Sequence, residues 1–203
     1  MKHTRKSELV LMESTHSYFL DGQEILGNSD IRRLAGISDY SKVNLEVMER
    51  AQAFGRVVHK VCELWDRCIL DESSVDPLIV PYFEAWKKFC EDRVKSWLLI
   101  EQKLFAPVDN LWVAGTIDRI FTGESGVELL DIKSAGGNKK EHRIQTAGYQ
   151  YKYEWLFRQK ISKRGVVELR ADGTYEQFEH CDQSDISVFK NAVPVAYFNS
   201  TKK

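Results

Sequence analysis

The sequence predicts an α/β domain with a central mixed β-sheet flanked by α-helices. Three observations predict it. Apolar residues recur at three- and four-residue steps in two stretches before residue 99, as in amphipathic helices. Three runs rich in β-branched and aromatic residues then follow one another between Leu99 and Ile132. A further helical stripe leads from these into a second strand pair. At 203 residues, 43% hydrophobic and 29% charged, the chain is long enough for one domain with a real core, and disorder is expected only near its ends.

The elements follow in order. Ser17 to Leu26 reads as two short strands around Asp21-Gly22, so a hairpin opens the fold. Asp30 to Ala35 reads as a short helix with Ser29 as N-cap and Gly36 as its stop. Ala51, Phe54, Val58, Cys62, Trp65 and Ile69 mark a helix from about Val43 to Leu70. Tyr82, Trp86, Phe89, Val94 and Trp97 mark another over Pro77 to Leu98. Strands are expected over Leu99 to Ala106, Leu111 to Phe121 and Val127 to Ile132, separated by Asp109-Asn110 and by Gly123-Glu124-Ser125-Gly126. Ile144, Ala147, Gly148, Tyr151 and Trp155 then form a helical stripe. Ser162 to Arg170 and Thr174 to Phe178 form a hairpin around Asp172-Gly173, and Ser184 to Tyr197 a closing helix with a bend at Pro194. The coarse order is ββ-α-α-βββ-α-ββ-α. With no linker and no repeat, one domain is expected over 1–203: a hairpin and short helix over 1–40, a helical segment over 43–98, and the sheet that carries the chemistry with its helices over 99–203.

Composition excludes several classes. No run of 18 apolar residues occurs, and the charged start of the chain lacks the apolar region of a signal peptide, so an intracellular protein without membrane association is expected. Cys62, Cys68, Cys90 and Cys181 form no CxxC pair, which favours buried thiols over a zinc site or disulfides. The net charge is only −1, but Lys133 to Arg164 holds nine Lys or Arg against two acids. That local +7 reads either as a surface that orients a phosphate backbone or as a solvated helix face.

The chemistry concentrates between Val113 and Lys133. Asp118 ends one apolar segment and Asp131-Ile132-Lys133 ends the next, so a hairpin would bring two carboxylates and an ammonium to one end of a sheet. Mg²⁺ or Mn²⁺ takes hard oxygen ligands from such carboxylates, and one or two such ions can present hydroxide to a phosphodiester, neutralise the phosphorus and stabilise the leaving oxygen. Lys133, two residues after Asp131, shares its face and could orient the attacking water. The Ile132 carbonyl is a candidate metal ligand. Taken alone, Asp-x-Lys is more often an exposed ion pair.

In conjunction, Gly115-Thr116-Ile117-Asp118, Asp131-Ile132-Lys133 and Gln145-Thr146-Ala147-Gly148-Tyr149 resemble the PD-(D/E)XK nuclease superfamily and its RecB-like, phage-type exonuclease branch. Gly55-Arg56-Val57-Val58-His59 is similar to that branch's upstream Gly-x-x-x-His, and Glu101 matches an acidic position before the first Asp. The opening His16 to Gly22 is a weaker match. The motifs span about residues 55 to 153, roughly half the chain. The resemblance implies a restriction-endonuclease-like core. It implies metal ligation by His59, Asp118, Asp131 and the Ile132 carbonyl, action of Lys133 on the nucleophilic water, and support of the site by Glu101, Gln145 and Tyr149. DNA contacts are expected from Lys139, Lys140, Arg143, Gln145, Tyr149 and Lys152. Read singly, His59 is a boundary histidine, Glu101 a strand acid paired with Lys103, and Gln145 and Tyr149 packing residues sharing a helix face.

Two features depart from relatives. Only Cys181 follows the Gln-Tyr helix, so no iron–sulfur cluster is expected, and no Gly-x-x-x-x-Gly-Lys-Ser/Thr motif is present, so unwinding would fall to a partner. Of Tyr149, Tyr151, Tyr153 and Trp155, most are expected in the core, with Tyr149 or Tyr153 as the residue that would face bases. The expectation is a Mg²⁺- or Mn²⁺-dependent DNA exonuclease leaving 5′-phosphates, acting in phage-type recombination, repair or processing inside a bacterial host, with a recombination or single-strand-binding protein as partner. The alternatives are a structure-specific endonuclease or nickase, and a catalytically silent DNA-binding protein of the same fold.

Overall fold

A computed structural model describes residues 7–39, 41, 43–136 and 139–201. The charged run at positions 1–6, positions 137–138 and the last two residues of the predicted 1–203 unit lie outside them. Strands β1 (Leu9–Met12), β2 (Ser17–Leu20) and β3 (Gln23–Gly27) are followed by helices α1 (Asn28–Leu34), α2 (Leu45–Asp66) and α3 (Val80–Arg93). Strands β4 (Ser96–Val108), β5 (Leu111–Gly123) and β6 (Gly126–Lys133) follow, then α4 (Lys140–Phe157), β7 (Lys163–Leu169), β8 (Tyr175–Glu179) and α5 (Ser184–Ser200). This is the α/β architecture expected, a mixed sheet of eight strands with helices on both faces.

The β2–β3 hairpin turns at Asp21-Gly22 with φ of 51° and 84°, the two positive values a type I′ turn requires. Sequence patterning missed β1, which pairs antiparallel with β2, and the coarse order also lacked the short α1 and a 3₁₀ turn at Glu72–Ser74. Helix α1 begins two residues earlier than an N-cap at Ser29 predicts, with Gly27 as its N-cap, and Asp30 reaches back to the Gly27 N–H. Helix α2 is capped by Asn44, whose side chain accepts from the Glu46 and Val47 amides. The second long helix ends at Arg93, not Leu98. Val94 turns extended and the Lys95 N–H bonds the Thr122 carbonyl, so Ser96 to Leu98 already belong to β4. Trp97 had suggested helix by its spacing after Val94, but it lies in β4 and stacks on Trp86 as a tertiary contact.

Adjacent strand residues divide the core. Phe121, Leu130 and Ile132 pack with Val58, Cys62, Trp86 and Phe89 of α2 and α3, whereas Ile120 and Leu129 pack with Tyr149 and Tyr153 of α4. Helices α1 and α5 join α4 through Ile31, Ile144, Ala147, Phe189 and Val193. Strands β6 and β7 are parallel, with α4 as their crossover. Cys62 and Cys90 are buried as expected, but Cys68 and Cys181 are exposed, and all four are free thiols. Among the described residues no helix is long and apolar enough to cross a membrane.

Candidate metal centre

Strand β5 is used twice along one edge. Its other edge pairs with β4 from Val108–Leu111 to Ser96–Thr122. On the shared edge, β3 runs parallel at Val113 and Ala114, and β6 runs antiparallel from Gly123–Gly126 to Arg119–Leu130. Gly115 to Asp118 lie in the gap between those two partners. Asp118 therefore stands in the middle of β5, not at its end as the sequence suggested, at the point where pairing with β6 stops. Its Oδ2 accepts the Ile132 N–H at 2.7 Å, a side chain taking the place of a ladder carbonyl.

Helix α2 lays His59 over this gap. Nε2 of His59 is 2.9 Å from the Ile132 carbonyl, and Nδ1 is 3.6 Å from Asp118 Oδ2 and 3.9 Å from Glu101 Oε1. With Nε2–H donating to that carbonyl, Nδ1 is turned toward the two carboxylates, the arrangement in which a backbone carbonyl fixes a ligating imidazole. One ligand atom from each of His59, Glu101 and Asp118 falls within 4.8 Å of the other two. Glu101 reaches this point from β4 with φ of 47°, a left-handed conformation that costs free energy in any residue with a Cβ.

Asp131 and Lys133 sit beside this group. Lys133 Nζ is 2.5 Å from Asp131 Oδ2, and Gln145 Nε2 donates to Asp131 Oδ1 at 2.8 Å. Gln145 Oε1 is 3.4 Å from Lys133 Nζ, and its amide also donates to the Tyr149 hydroxyl at 3.2 Å. The structure thus brings His59, Glu101, Asp118, Asp131, Ile132, Lys133, Gln145 and Tyr149 together, although the three-residue group that could hold a cation contains Glu101 and lacks Asp131.

Electrostatics fit a cation. Burial, and then the neighbouring Asp131 charge, push the Asp118 carboxyl upward. Burial alone would push His59 down, but Asp118 and Glu101 outweigh it and lift the imidazole to about 9. Protons on these groups offset negative charge that a divalent ion would otherwise balance. Two carboxylates and one imidazole suit Mg²⁺ or Mn²⁺, with nitrogen favouring the latter.

Three residues that sequence reasoning missed support the site. Arg119, fully buried, donates from Nε to Asp66 Oδ2 at 2.6 Å and from Nη1 to Glu101 Oε1 and to the Asp118 carbonyl, both at 2.8 Å. Asp66 also accepts from Trp86 Nε1 at 2.9 Å. Asn28 donates to the Gln145 carbonyl at 3.0 Å. A charge inside the apolar run of β5, and an acid seven residues after His59 on the same helix face, were the available signals for Arg119 and Asp66.

The basic segment is not the surface its composition suggested. Lys152 is fully buried, its Nζ 2.6 Å from Asn28 Oδ1 and packed over the Tyr149 and Phe189 rings, and burial holds its ammonium well below the usual lysine range. It cannot reach a phosphate. Arg143 is paired with Asp182 and Asp185, Arg164 with Asp185, Lys160 with Glu154 and Lys163 with Glu179. Lys139 and Lys140 remain exposed at the start of α4. Tyr149 and Tyr153 are 7% and 3% exposed, which removes both as stacking platforms for bases.

No protein-family model matches this chain. No curated protein matches it either. Solved structures do. SSO0001 is similar over 86% of this chain and 75% of its own length, with 14% identity and a TM-score of 0.48. A putative exonuclease from Eubacterium rectale is similar over 88% of this chain and 82% of its own, with 11% identity and a TM-score of 0.58. At that identity the second likeness is one of fold.

Proposed function

We propose that this protein is a Mg²⁺- or Mn²⁺-dependent deoxyribonuclease of the PD-(D/E)XK superfamily, an exonuclease of the RecB-like type that serves phage-type DNA processing. The observation that carries the reading is the convergence of His59, Glu101 and Asp118 beside the Asp131–Lys133 pair. The fold shared with a protein described as a putative exonuclease supports it, as do the motifs in which these residues lie.

A divalent ion held by His59, Glu101 and Asp118, with Asp131 alongside, would neutralise phosphate charge and lower the pKa of bound water. The chain's own residues supply the rest. Lys133 orients the attacking water and balances charge on the phosphate. Gln145 holds Asp131 and Lys133 in one geometry, and Arg119 holds Glu101. Attack on phosphorus expels the 3′ oxygen and leaves a 5′-phosphate. Lys139 and Lys140, exposed at the start of α4, are the cations assigned to the DNA backbone.

The test is cleavage of end-labelled linear single- and double-stranded DNA beside a covalently closed circle, with Mg²⁺, Mn²⁺ or EDTA. Metal-dependent loss of the linear DNAs alone, reduced roughly 100-fold or more in Lys133→Ala, is the expected result. Cleavage of the circle would replace the exonuclease by an endonuclease or nickase. DNA binding without cleavage under either metal would overturn the enzymatic reading.

A further inference from the structure

Away from the metal centre, a cleft of about 120 Å³ opens where β7 begins and β8 ends, lined among others by Gln150, Ser162, Arg164, His180 and Cys181. Arg164 pairs across the sheet with Leu129, and the chain continues through Val166 beside Asp131, so the cleft lies toward the opposite end of β7 from Lys133. Three buried side-chain atoms that lack a hydrogen-bond partner among the described residues belong to residues lining this cleft: Gln150 Oε1, Arg164 Nε and His180 Nε2. The three side chains are 4%, 4% and 7% exposed. Unpaired polar groups at such depth are costly, and their concentration at one opening points to something that pairs them.

The remaining atoms of these residues fix what is on offer. Gln150 Nε2 donates to Glu154 Oε1 at 2.9 Å, so the amide is oriented and Oε1 is an acceptor. Arg164 spends Nη1 on Thr146 and the Arg143 carbonyl and Nη2 on Asp185 and the Asp182 carbonyl, which leaves Nε–H as a donor. His180 Nδ1 lies 2.9 Å from the Thr146 hydroxyl, which bonds back to the His142 carbonyl. With Nδ1–H donating to Thr146, Nε2 is a second acceptor. Charge is balanced on both sides, Arg164 by Asp185 and Lys163 by Glu179. An anion without donors would leave Gln150 Oε1 and His180 Nε2 unpaired.

We propose that this cleft binds a pyrimidine base of the cytosine type, a neutral six-membered ring whose amino group offers two N–H donors beside a ring-nitrogen acceptor. At about 120 Å³ the cleft is somewhat smaller than the roughly 150 Å³ apolar cavity that takes up benzene, which limits the occupant to one ring. This inference does not depend on the nuclease reading.

Cys181, exposed at the cleft, provides a readout that needs no activity. In a Cys68→Ser background, cytosine is expected to slow iodoacetamide alkylation of Cys181 at least fivefold and to give a saturable calorimetric isotherm. Gln150→Leu, which keeps the size of the side chain and removes the acceptor, should abolish both. Ser162→Trp, a change at an exposed position of the rim, should do the same if Gln150→Leu fails to fold. Equal protection by acetamide would overturn the assignment to a ring. Absence of protection by cytosine at millimolar concentration, or undiminished binding in a folded variant, would show that the cleft holds only water.

Discussion

Glu101 and Asp118 stand opposite each other on β4 and β5, between the Ile100–Arg119 and Gln102–Ile117 pairs, and Glu101 holds that place with a left-handed backbone. The strain is local, and it aims a carboxylate at the His59 imidazole. A Cβ in this conformation costs roughly 1–2 kcal/mol, so Glu101→Gly should be about 1 kcal/mol more stable to urea than Glu101→Ala. Both should lose metal-dependent cleavage. Equal stability of the two would show that the backbone at this position is relaxed.

Gln145 should matter through Asp131 and Lys133 and not through the helix it sits on. Residues that orient ligands or catalytic groups typically change rate or metal affinity by about 10–100-fold, and Gln145→Ala is expected in that range with an unchanged circular-dichroism spectrum. Gln145→Glu should be worse, because it sets a carboxylate where an amide N–H now meets Asp131 Oδ1. Wild-type kinetics for Gln145→Glu would remove the residue from the site.

Lys152 and the Lys139–Lys140 pair separate burial from charge. The slope of log affinity for DNA against log salt should fall by about 2 in the Lys139→Ala/Lys140→Ala double variant, one unit per lost phosphate contact. Lys152→Met should leave the slope unchanged, since its ammonium is bonded to Asn28 inside the protein. A shallower slope in Lys152→Met would contradict its burial.

His180 gives stability a dependence on pH. Burial, reinforced by the Arg164 charge, holds its imidazole down at about 4, below the unfolded value near 6.5. Above 6.5 both states are neutral and the contribution is complete. As pH falls from 6.5 toward 4 only the unfolded chain takes up the proton, so stability drops by up to about 3 kcal/mol and then levels off. Urea denaturation at pH 7, 5.5 and 4.5, with His180→Asn as reference, should show this difference. Parallel pH curves for the two proteins would contradict it.

How much could be read beforehand divides along sequence distance. The Asp21-Gly22 turn, the helix through His59 and the Asp131-Ile132-Lys133 strand end are local patterns, and local patterns survive folding. Gln145 and Tyr149 were legible as a pair because four residues of helix place them together. The burial of Lys152 was not, because its partner Asn28 lies 124 positions away. Arg143 misled for the same reason, its charge being met by Asp182 and Asp185 about 40 residues later. The inverted backbone of Glu101 has no signature in residue type at all. Trp97 shows the converse error, a tertiary stacking partner of Trp86 mistaken for the next turn of a helix.

The double use of one edge of β5 also bears on how the chain can be shortened. Strand β3 is what covers the backbone amides and carbonyls of Val113 and Ala114, while β6 covers only the stretch from Arg119 onward. A protein begun at Asn28 would keep every proposed metal ligand, yet it would present a bare, apolar strand edge to its neighbours in solution. Such edges recruit strands from other molecules. The opening hairpin therefore acts as a guard against aggregation as well as a part of the sheet, and truncations that spare the chemistry are expected to fail through insolubility.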